Sequence, residues 1–326
     1  MVDGLGREIN YLRISVTDRC NLRCRYCMPE HGVDHINHTE VLRLEEIARL
    51  VKIMSGWGIT KVRITGGEPL LRKNLPRLFK TISTIPEIDD LALTTNGIHF
   101  QDLAVSLKAA GLRRVNFSLD TLKEERHRFI TRRSASVVTV MKAIELALAL
   151  NLEPVKLNVV IIRGFNDDEL LNFAELARQL SLHVRFIEFM PIGNLLYWDP
   201  QRLIGVDEMK ARLEQHYELI PEQEIYGNGP ARYYSLPGGQ GSLGFINPIS
   251  NHFCSKCNRL RLTAGGTLRA CLYDQRETDL KSALRGGASD DQLRAMMIDT
   301  ILHKPEKHDM EGWGNSNRRY MYQIGG

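Results

Sequence analysis

The chain has 326 residues, with 43% apolar and 25% charged side chains and a net charge of +4, as in an ordinary soluble protein. This length predicts one large domain with an appendage, or two domains, and the small charge does not indicate a nucleic-acid-binding protein, although it allows a local basic pocket. The N-terminal MVDGLGREIN lacks a signal-peptide pattern and no apolar run approaches membrane-spanning length, so we expect a cytoplasmic protein without membrane contact.

Segments rich in β-branched residues alternate with amphipathic segments through the first two-thirds of the chain. The predicted strands are 11–16, 61–65, 91–95, 114–119, 155–162 and 184–190. The predicted helices between them are 43–58, 75–85, 102–111, 136–151 and 168–181. Strands that alternate with helices indicate a parallel sheet with right-handed crossovers.

Both a doubly wound sheet and a barrel agree with this alternation. Several different predicted strands carry polar or sulfur-containing residues along their length or at their carboxyl ends: Arg13, Arg63, Thr94, Ser118, Lys156 and Met190. This distribution favours a complete or partial barrel, whose active face lies at the carboxyl ends of its strands, over a sheet with a single switch point. We predict an α/β protein with a partial barrel of six βα units.

The pattern changes after the sixth strand. One more helix is predicted at 205–219, residues 226–250 are rich in Gly and Pro and predict short strands and turns, and polar helices begin near Leu280. We therefore expect a barrel core over 4–225 and a C-terminal α+β region over 226–326.

Cys20, Cys24 and Cys27 form a C-x3-C-x2-C motif directly after the first strand, in a segment whose composition predicts a loop. Clustered thiols in a reducing compartment indicate metal or redox chemistry. Zinc normally takes a fourth ligand, which His31 could provide, and buried thiols without a ligand are a third interpretation. An iron–sulfur cluster with three thiolates and one open iron fits the count of ligands best.

Cys254, Cys257 and Cys271 form a second group of three, C-x2-C-x13-C, which predicts a second cluster with an open iron. His252 could instead complete a zinc site. Arg259 and Arg261 alternate on a predicted strand, so their side chains share one face. Two guanidinium groups beside an open iron would form a site for an anion or for the edge of a base.

The first motif, with Tyr26 as an aromatic residue before the last cysteine, resembles the signature of radical S-adenosylmethionine (SAM) enzymes, which typically have a full or partial βα barrel. The resemblance implies a [4Fe–4S] cluster on these cysteines, with SAM on the fourth iron, cleaved by one electron to a 5′-deoxyadenosyl radical. The segment RITGGEP at 63–69 is similar to the family's GGEP segment. The residues that the resemblance assigns to SAM are Tyr26, Gly67, Ser118 and Met190.

The second motif, C-x2-C-x-R-x-R-x9-C, and the Gly-Gly terminus narrow this resemblance to the GTP 3′,8-cyclase family of molybdenum cofactor biosynthesis, from the first strand to Gly326. The resemblance implies a second [4Fe–4S] cluster that binds guanine, abstraction of the C3′ hydrogen of GTP, and C3′–C8 bond formation. It assigns GTP binding to Arg13, Arg63, Thr94, Lys156, Arg259 and Arg261. We hypothesise that Gly325 and Gly326 enter the active site and position groups for catalysis.

The same resemblance implies an electron donor such as flavodoxin or ferredoxin and a downstream cyclic pyranopterin monophosphate synthase, and it leaves a homodimer open. Two alternatives remain at this point. One is a different radical SAM enzyme with an auxiliary cluster, such as a peptide maturase, although those usually carry more C-terminal cysteines. The other is a zinc-stabilised nucleic-acid or scaffold protein.

Overall fold

Six parallel strands in chain order form the centre of the molecule, and the computed structural model describes residues 1–193, 196–222, 229–308 and 320–324. The strands are β1 (Tyr11–Ser15), β2 (Lys61–Thr65), β3 (Asp90–Thr95), β4 (Arg114–Ser118), β5 (Lys156–Ile161) and β6 (His183–Glu188). The first and last residues of each strand lie within two positions of the predicted bounds. Their Val, Ile and Leu side chains are buried, except for Val160 and Ile187, which are partly exposed and line a cavity.

Helices connect these strands and cover the outer face of the sheet. They are α1 (Leu44–Ser55), α2 (Leu75–Ser83), α3 (Phe100–Ala109), α4 (Glu124–Thr131), α5 (Val137–Ala149) and α6 (Leu170–Gln179). Helix α1 shows why they form: Ile47, Leu50, Val51 and Met54 recur at helical spacing and are buried. Helix α4 was not predicted, because it is short and mostly charged, with little apolar periodicity.

The C-terminal region adds strands to both sides of the central six. After α7 (Val206–Glu214) come β7 (Ile220–Pro221), β8 (Arg232–Ser235), β9 (Ser242–Ile246), β10 (Arg259–Leu262), β11 (Thr267–Arg269) and β12 (Thr278–Asp279), followed by α8 (Leu280–Arg285) and α9 (Asp290–Leu302). Strand β9 pairs parallel with β6, and β10 pairs parallel with β1. The outermost pairs are antiparallel.

The resulting sheet has twelve strands in the order β12-β11-β10-β1-β2-β3-β4-β5-β6-β9-β8-β7. Within the described ranges, β12 and β7 do not pair with each other, so the sheet stays open. The predicted α/β partial barrel is confirmed. The parallel pairing of β10 with β1 was not predicted, and it places the strand after Cys257 beside the strand before Cys20. The described helices include none that is long and apolar enough to span a bilayer.

Candidate functional site

The first cysteine motif lies on a loop after β1, as predicted, and the glycine pair after β2 holds that loop. The Gly67 amide donates to the Thr17 carbonyl oxygen at 2.7 Å, and the Glu68 amide donates to the Arg19 carbonyl oxygen at 2.7 Å. A Cβ atom on residue 67 would lie 2.3 Å from the Arg19 carbonyl oxygen. Glycine is therefore required here by the close approach of the cysteine loop.

Glu68 joins this loop to the end of β3. Its buried carboxylate accepts hydrogen bonds from Thr95 Oγ1 at 2.7 Å, from the Asn96 amide at 2.8 Å and from the Leu70 amide at 3.0 Å. The Asn96 side chain in turn donates to Asn21 Oδ1, inside the cysteine loop, at 2.8 Å. Burial raises the pKa of Glu68. This network fixes the loop at the carboxyl ends of the strands, where a barrel carries its active face.

The three thiols of this loop lie close enough to affect one another. Burial, and then Cys27 and Cys20, raise the pKa of Cys24 well above its usual value. Burial also raises the pKa of Cys20 to about 11 and, together with Cys20, that of Cys27 to about 12. Neighbouring, half-buried thiols that resist ionisation separately fit a site completed by a cationic metal centre, which favours thiolates. Among the described residues, no group of three or more Cys, His, Asp or Glu converges as for a single metal ion.

A hydrogen-bonded pair that the motifs did not predict stands beside these thiols. The Tyr26 hydroxyl donates to Asp120 Oδ2 at 2.7 Å, and the Val160 amide donates to Asp120 Oδ1 at 2.9 Å. Burial raises the pKa of Asp120 to about 6. The available signal was an acidic residue just after a predicted strand, in the segment FSLD.

A cavity of about 300 Å³ opens above the strands and brings the two motifs together. Its wall contains these predicted residues: Arg13, Cys20, Cys24, Tyr26, Cys27, Arg63, Gly67, Thr94, Ser118, Met190, Arg259 and Arg261. From the second motif, the described wall contains Arg259 and Arg261, together with Phe253 and Leu272, which are next to Cys254 and Cys271 in sequence. The three cysteines of this motif are not on the described wall.

Three arginines stand in register across one side of this cavity. Arg261 on β10 pairs with Arg13 on β1, and Arg13 pairs with Arg63 on β2. Burial, and then Arg259, lower the pKa of Arg261 to about 10, and burial also lowers the pKa of Arg63 to about 10. Positive charges crowded in a buried wall favour an anionic ligand, which would relieve their repulsion.

Donors without acceptors lie at the inner end of the cavity. Among the described residues of the cavity wall, Arg63 Nε and Arg185 Nε are buried and have no hydrogen-bond partner. A buried donor without a partner costs about 1–3 kcal/mol, so this end fits a ligand with several acceptor oxygens, such as a phosphate chain. Arg185 was not among the predicted site residues.

Lys156 is the one predicted contact that stands back from the described cavity wall. Its ammonium lies 5.3 Å from the centre of the Tyr233 ring. Burial, and then Arg185 and Arg114, lower the pKa of Lys156 to about 5. Its role as a GTP contact stays a prediction.

The second cysteine group lies in a more positive environment. Cys254 is buried and begins a turn of 3-10 helix. Cys257 lies two residues before Arg259, the first residue of β10, and Cys271 lies two residues after the end of β11. Burial would raise the pKa of Cys257, but Arg259 and then Lys304 outweigh it and lower that pKa to about 7. The guanidinium of Arg259 lies 4.8 Å from the centre of the Phe253 ring, which faces the cavity. These thiols also fit a metal centre, one that lies next to a site for anions.

The described end of the chain reaches between the two groups. Met321 and Tyr322 line the cavity, and Arg261 Nη1 donates to the Ile324 carbonyl oxygen at 3.2 Å. The Tyr322 amide donates a hydrogen bond that lowers the pKa of Cys27, against the larger effect of burial. Gly325 and Gly326, the predicted catalytic glycines, lie outside the described residues.

The fold and the first cysteine loop are those of a radical SAM protein: the family described as Radical SAM superfamily matches residues 14–177. A second family, Molybdenum Cofactor Synthesis C, matches residues 182–310. Streptococcus suis SuiB bound to S-adenosylmethionine has the same fold, with a TM-score of 0.57 and 12% identity over 89% of this chain and 68% of SuiB.

Curated relatives identify the particular family. The GTP 3′,8-cyclase of Syntrophomonas wolfei is 59% identical and that of Moorella thermoacetica is 54% identical, each over 100% of both chains. The chain therefore belongs to the GTP 3′,8-cyclase family. The likeness to SuiB shows the fold alone and does not support the peptide-maturase alternative.

Proposed function

We propose that this chain is a GTP 3′,8-cyclase, a radical SAM lyase of molybdenum cofactor biosynthesis that joins C3′ of GTP to C8 of its guanine. The observation that carries the proposal is a cavity lined by the three thiols of the first group, by residues next to the cysteines of the second group, and by a row of arginines. The full-length similarity to curated GTP 3′,8-cyclases supports it. The family uses SAM and two [4Fe–4S] clusters, which when bound supply the radical chemistry.

The residues of this chain divide the cavity between two ligands. Cys20, Cys24 and Cys27 would hold one cluster, and the residues near them that would bind SAM are Tyr26, Gly67, Ser118 and Met190. The acidic groups at this end, Glu68 and Asp120, favour a ligand that carries a sulfonium and an ammonium group.

Cys254, Cys257 and Cys271 would hold the other cluster, next to GTP. Arg259 and Arg261 would bind the nucleotide at that cluster, while Arg13, Arg63 and Thr94 continue the wall toward the buried Nε donor of Arg185. Arg63 Nε and Arg185 Nε would donate hydrogen bonds to the triphosphate oxygens. Lys156, behind the wall, would add positive charge when the phosphates raise its pKa.

Several finer features belong to the same proposal. Gly325 and Gly326 would extend the tail whose residues 320–324 already lie at the cavity, and a tail lengthened by one residue would lower turnover. The division into 4–225 and 226–326 has its boundary in a segment outside the described residues. A flavodoxin or ferredoxin as electron donor, a downstream cyclic pyranopterin monophosphate synthase, a cytoplasmic location and a homodimer all rest on family membership.

The experiment is anaerobic incubation of reconstituted protein with GTP, SAM and a reductant, followed by mass spectrometry of the nucleotide product. We expect 3′,8-cyclo-7,8-dihydro-GTP, an isomer of GTP that is distinguished from it by chromatographic retention and fragmentation, together with 5′-deoxyadenosine. Omission of SAM is the matched control and should leave GTP unchanged. Cleavage of SAM with no GTP-derived product, at any GTP concentration, would refute the assignment of substrate.

A further inference from the structure

Two buried cations lie behind the second cysteine group, and neither belongs to a cysteine motif. Arg7 comes from the N-terminal segment before β1, and Lys304 comes from the turn after α9. Their exposed fractions are 7% and 5%. Buried cations need acceptors, and the acceptors here include backbone carbonyl groups of the segments that carry the cysteines.

Arg7 joins the Cys254 segment to residues 304–306, which follow α9. Its Nη1 donates to the Cys254 carbonyl oxygen at 3.0 Å and to that of Glu306 at 3.1 Å. Its Nη2 donates to the carbonyl oxygens of Pro305 at 2.9 Å and Lys304 at 3.2 Å. The Asp3 carboxylate orients the guanidinium through Nε at 2.6 Å.

Lys304 binds backbone carbonyl groups next to the other two cysteines, Cys257 and Cys271. Its ammonium donates to the Arg259 carbonyl oxygen at 2.8 Å and to the Ala270 carbonyl oxygen. Arg259 lies two residues after Cys257, and Ala270 directly precedes Cys271. The ammonium is also close enough to both thiols for their charges to raise its pKa, against the larger effect of burial.

We propose that Arg7 and Lys304 form a clamp that positions all three cysteines of the second group and offsets their negative charge when a cluster is bound. Each cysteine-bearing segment has one backbone carbonyl held by one of the two cations, and Arg7 also holds the backbone of Lys304. The N-terminal residues are therefore part of the second metal site, although they are about 250 positions from it in sequence. The inference rests on the proposed function only in taking this group as a cluster site.

The test compares Lys304→Met with the unchanged chain after anaerobic reconstitution. Met retains most of the side-chain volume but has no charge and no donor. We expect iron to fall from about eight to about four atoms per chain, the content of one [4Fe–4S] cluster. In the unchanged chain, GTP bound at the second cluster should change its electron paramagnetic resonance spectrum. Lys304→Met should lose this change, while reductive cleavage of SAM at the first site continues. Arg7→Gln should give a partial loss of the same iron.

Lys108→Met is the matched control, because Lys108 also donates to a backbone carbonyl, that of Leu150, but lies on the outer face of α3. It should retain all of its iron. A second comparison introduces Lys304→Met into a chain with Cys254, Cys257 and Cys271 replaced by alanine. A residue that acts only on folding would lower the melting temperature equally in both backgrounds, whereas the clamp predicts a larger effect in the chain that binds the second cluster.

The outcomes separate this inference from the proposed function. If the unchanged chain binds only one cluster, the assignment of the second group is wrong. If the unchanged chain binds two and Lys304→Met also retains both, with the GTP-sensitive signal intact, the clamp is refuted while the cyclase assignment stands. Equal losses of melting temperature in the two backgrounds would also refute it.

Discussion

The two cysteine groups depend on different parts of the chain, although the thiols of the first and residues next to the second lie on the wall of the same cavity. The first lies within eight consecutive positions of one loop, which the glycine pair at 66–67 and Glu68 hold in place. The second is divided between two segments, whose backbone carbonyl groups accept hydrogen bonds from Arg7, before β1, and from Lys304, after α9. The first group is therefore a local structure, whereas the second forms only when distant segments have come together.

The two groups of thiols also differ in the charges that surround them. Near the first group, burial raises the pKa of each thiol, and Glu68 adds to this effect at Cys20 and Asp120 at Cys24. Near the second, Arg259 and Lys304 lower the pKa of Cys257 to about 7 in spite of burial. We infer that this contrast separates the two ligands, because SAM carries positive charge near its reactive centre and GTP carries several negative charges.

The largest expected effect comes from removing each group in turn. Replacement of Cys20, Cys24 and Cys27 by alanine should abolish SAM cleavage, because no thiolate would remain to hold the iron that binds SAM. Replacement of Cys254, Cys257 and Cys271 should leave slow SAM cleavage but abolish product from GTP. Iron analysis, with about four atoms retained in each variant, is the measurement. Loss of SAM cleavage in both variants would show that the two sites are not independent.

The next largest effect tests the local nature of the first group. Gly67→Ala places a Cβ atom 2.3 Å from the Arg19 carbonyl oxygen, so the cysteine loop must move. We expect loss of the first cluster alone, again about four iron atoms per chain, and loss of SAM cleavage. Gly56→Ala is the control, since its Cβ would meet only ordinary contacts at 3.6 Å. A Gly67→Ala chain that cleaves SAM normally would contradict the role given to this contact.

A smaller effect tests the positive side of the cavity. Arg259→Ala removes one charged donor from the GTP site and leaves the first group intact. A hydrogen bond to a charged group contributes about 1.5–3 kcal/mol, so we expect GTP affinity to fall about 10- to 100-fold, measured by calorimetry. SAM cleavage without GTP should be nearly unchanged. Arg232→Ala, on the exposed face of β8, is the control, and unchanged GTP affinity in Arg259→Ala would exclude that residue as a contact.

The same contrast explains what could be predicted from the sequence. The six central strands were located within two residues and both groups of thiols were recognised, because strand patterns and cysteine spacings are local. Helix α4 was missed because its charged sequence has little periodicity. The GGEP segment was recognised, but the reason that position 67 must be glycine is a close contact with the Arg19 carbonyl oxygen, which the motif does not describe.

The partners of the second group were beyond sequence reasoning for a physical reason. The pairing of β10 with β1 joins residues about 250 positions apart, and nothing in either strand specifies its neighbour. Arg7 and Lys304 look like ordinary surface cations in the sequence. Only the fold shows that both are buried and that their donors meet the carbonyl groups beside the cysteines.

The smallest expected effect concerns the docking of the C-terminal region on the barrel. Glu46 of α1 accepts hydrogen bonds from Arg285, at the end of α8, at 2.9 and 3.0 Å. Burial would raise the pKa of Glu46, but Arg285 and Arg43 outweigh it and lower that pKa to about 2. Glu46→Gln should lower the free energy of unfolding at pH 7 by about 1–2 kcal/mol, a value reduced by the partial exposure of Arg285.

The pH dependence of that difference follows from the direction of the shift. Because the folded pKa of Glu46 lies below its ordinary value of 4.5, the contribution is complete above about pH 4.5 and is lost as the pH falls toward about 2. Denaturant unfolding of cluster-free chains, which avoids acid loss of iron, should show the two curves converging in this window. Glu175→Gln, which removes an exposed pair with Arg178, should have a smaller effect. A difference that does not change with pH would mean that Glu46 acts through packing, and docking of α8 would then depend on its apolar contacts instead.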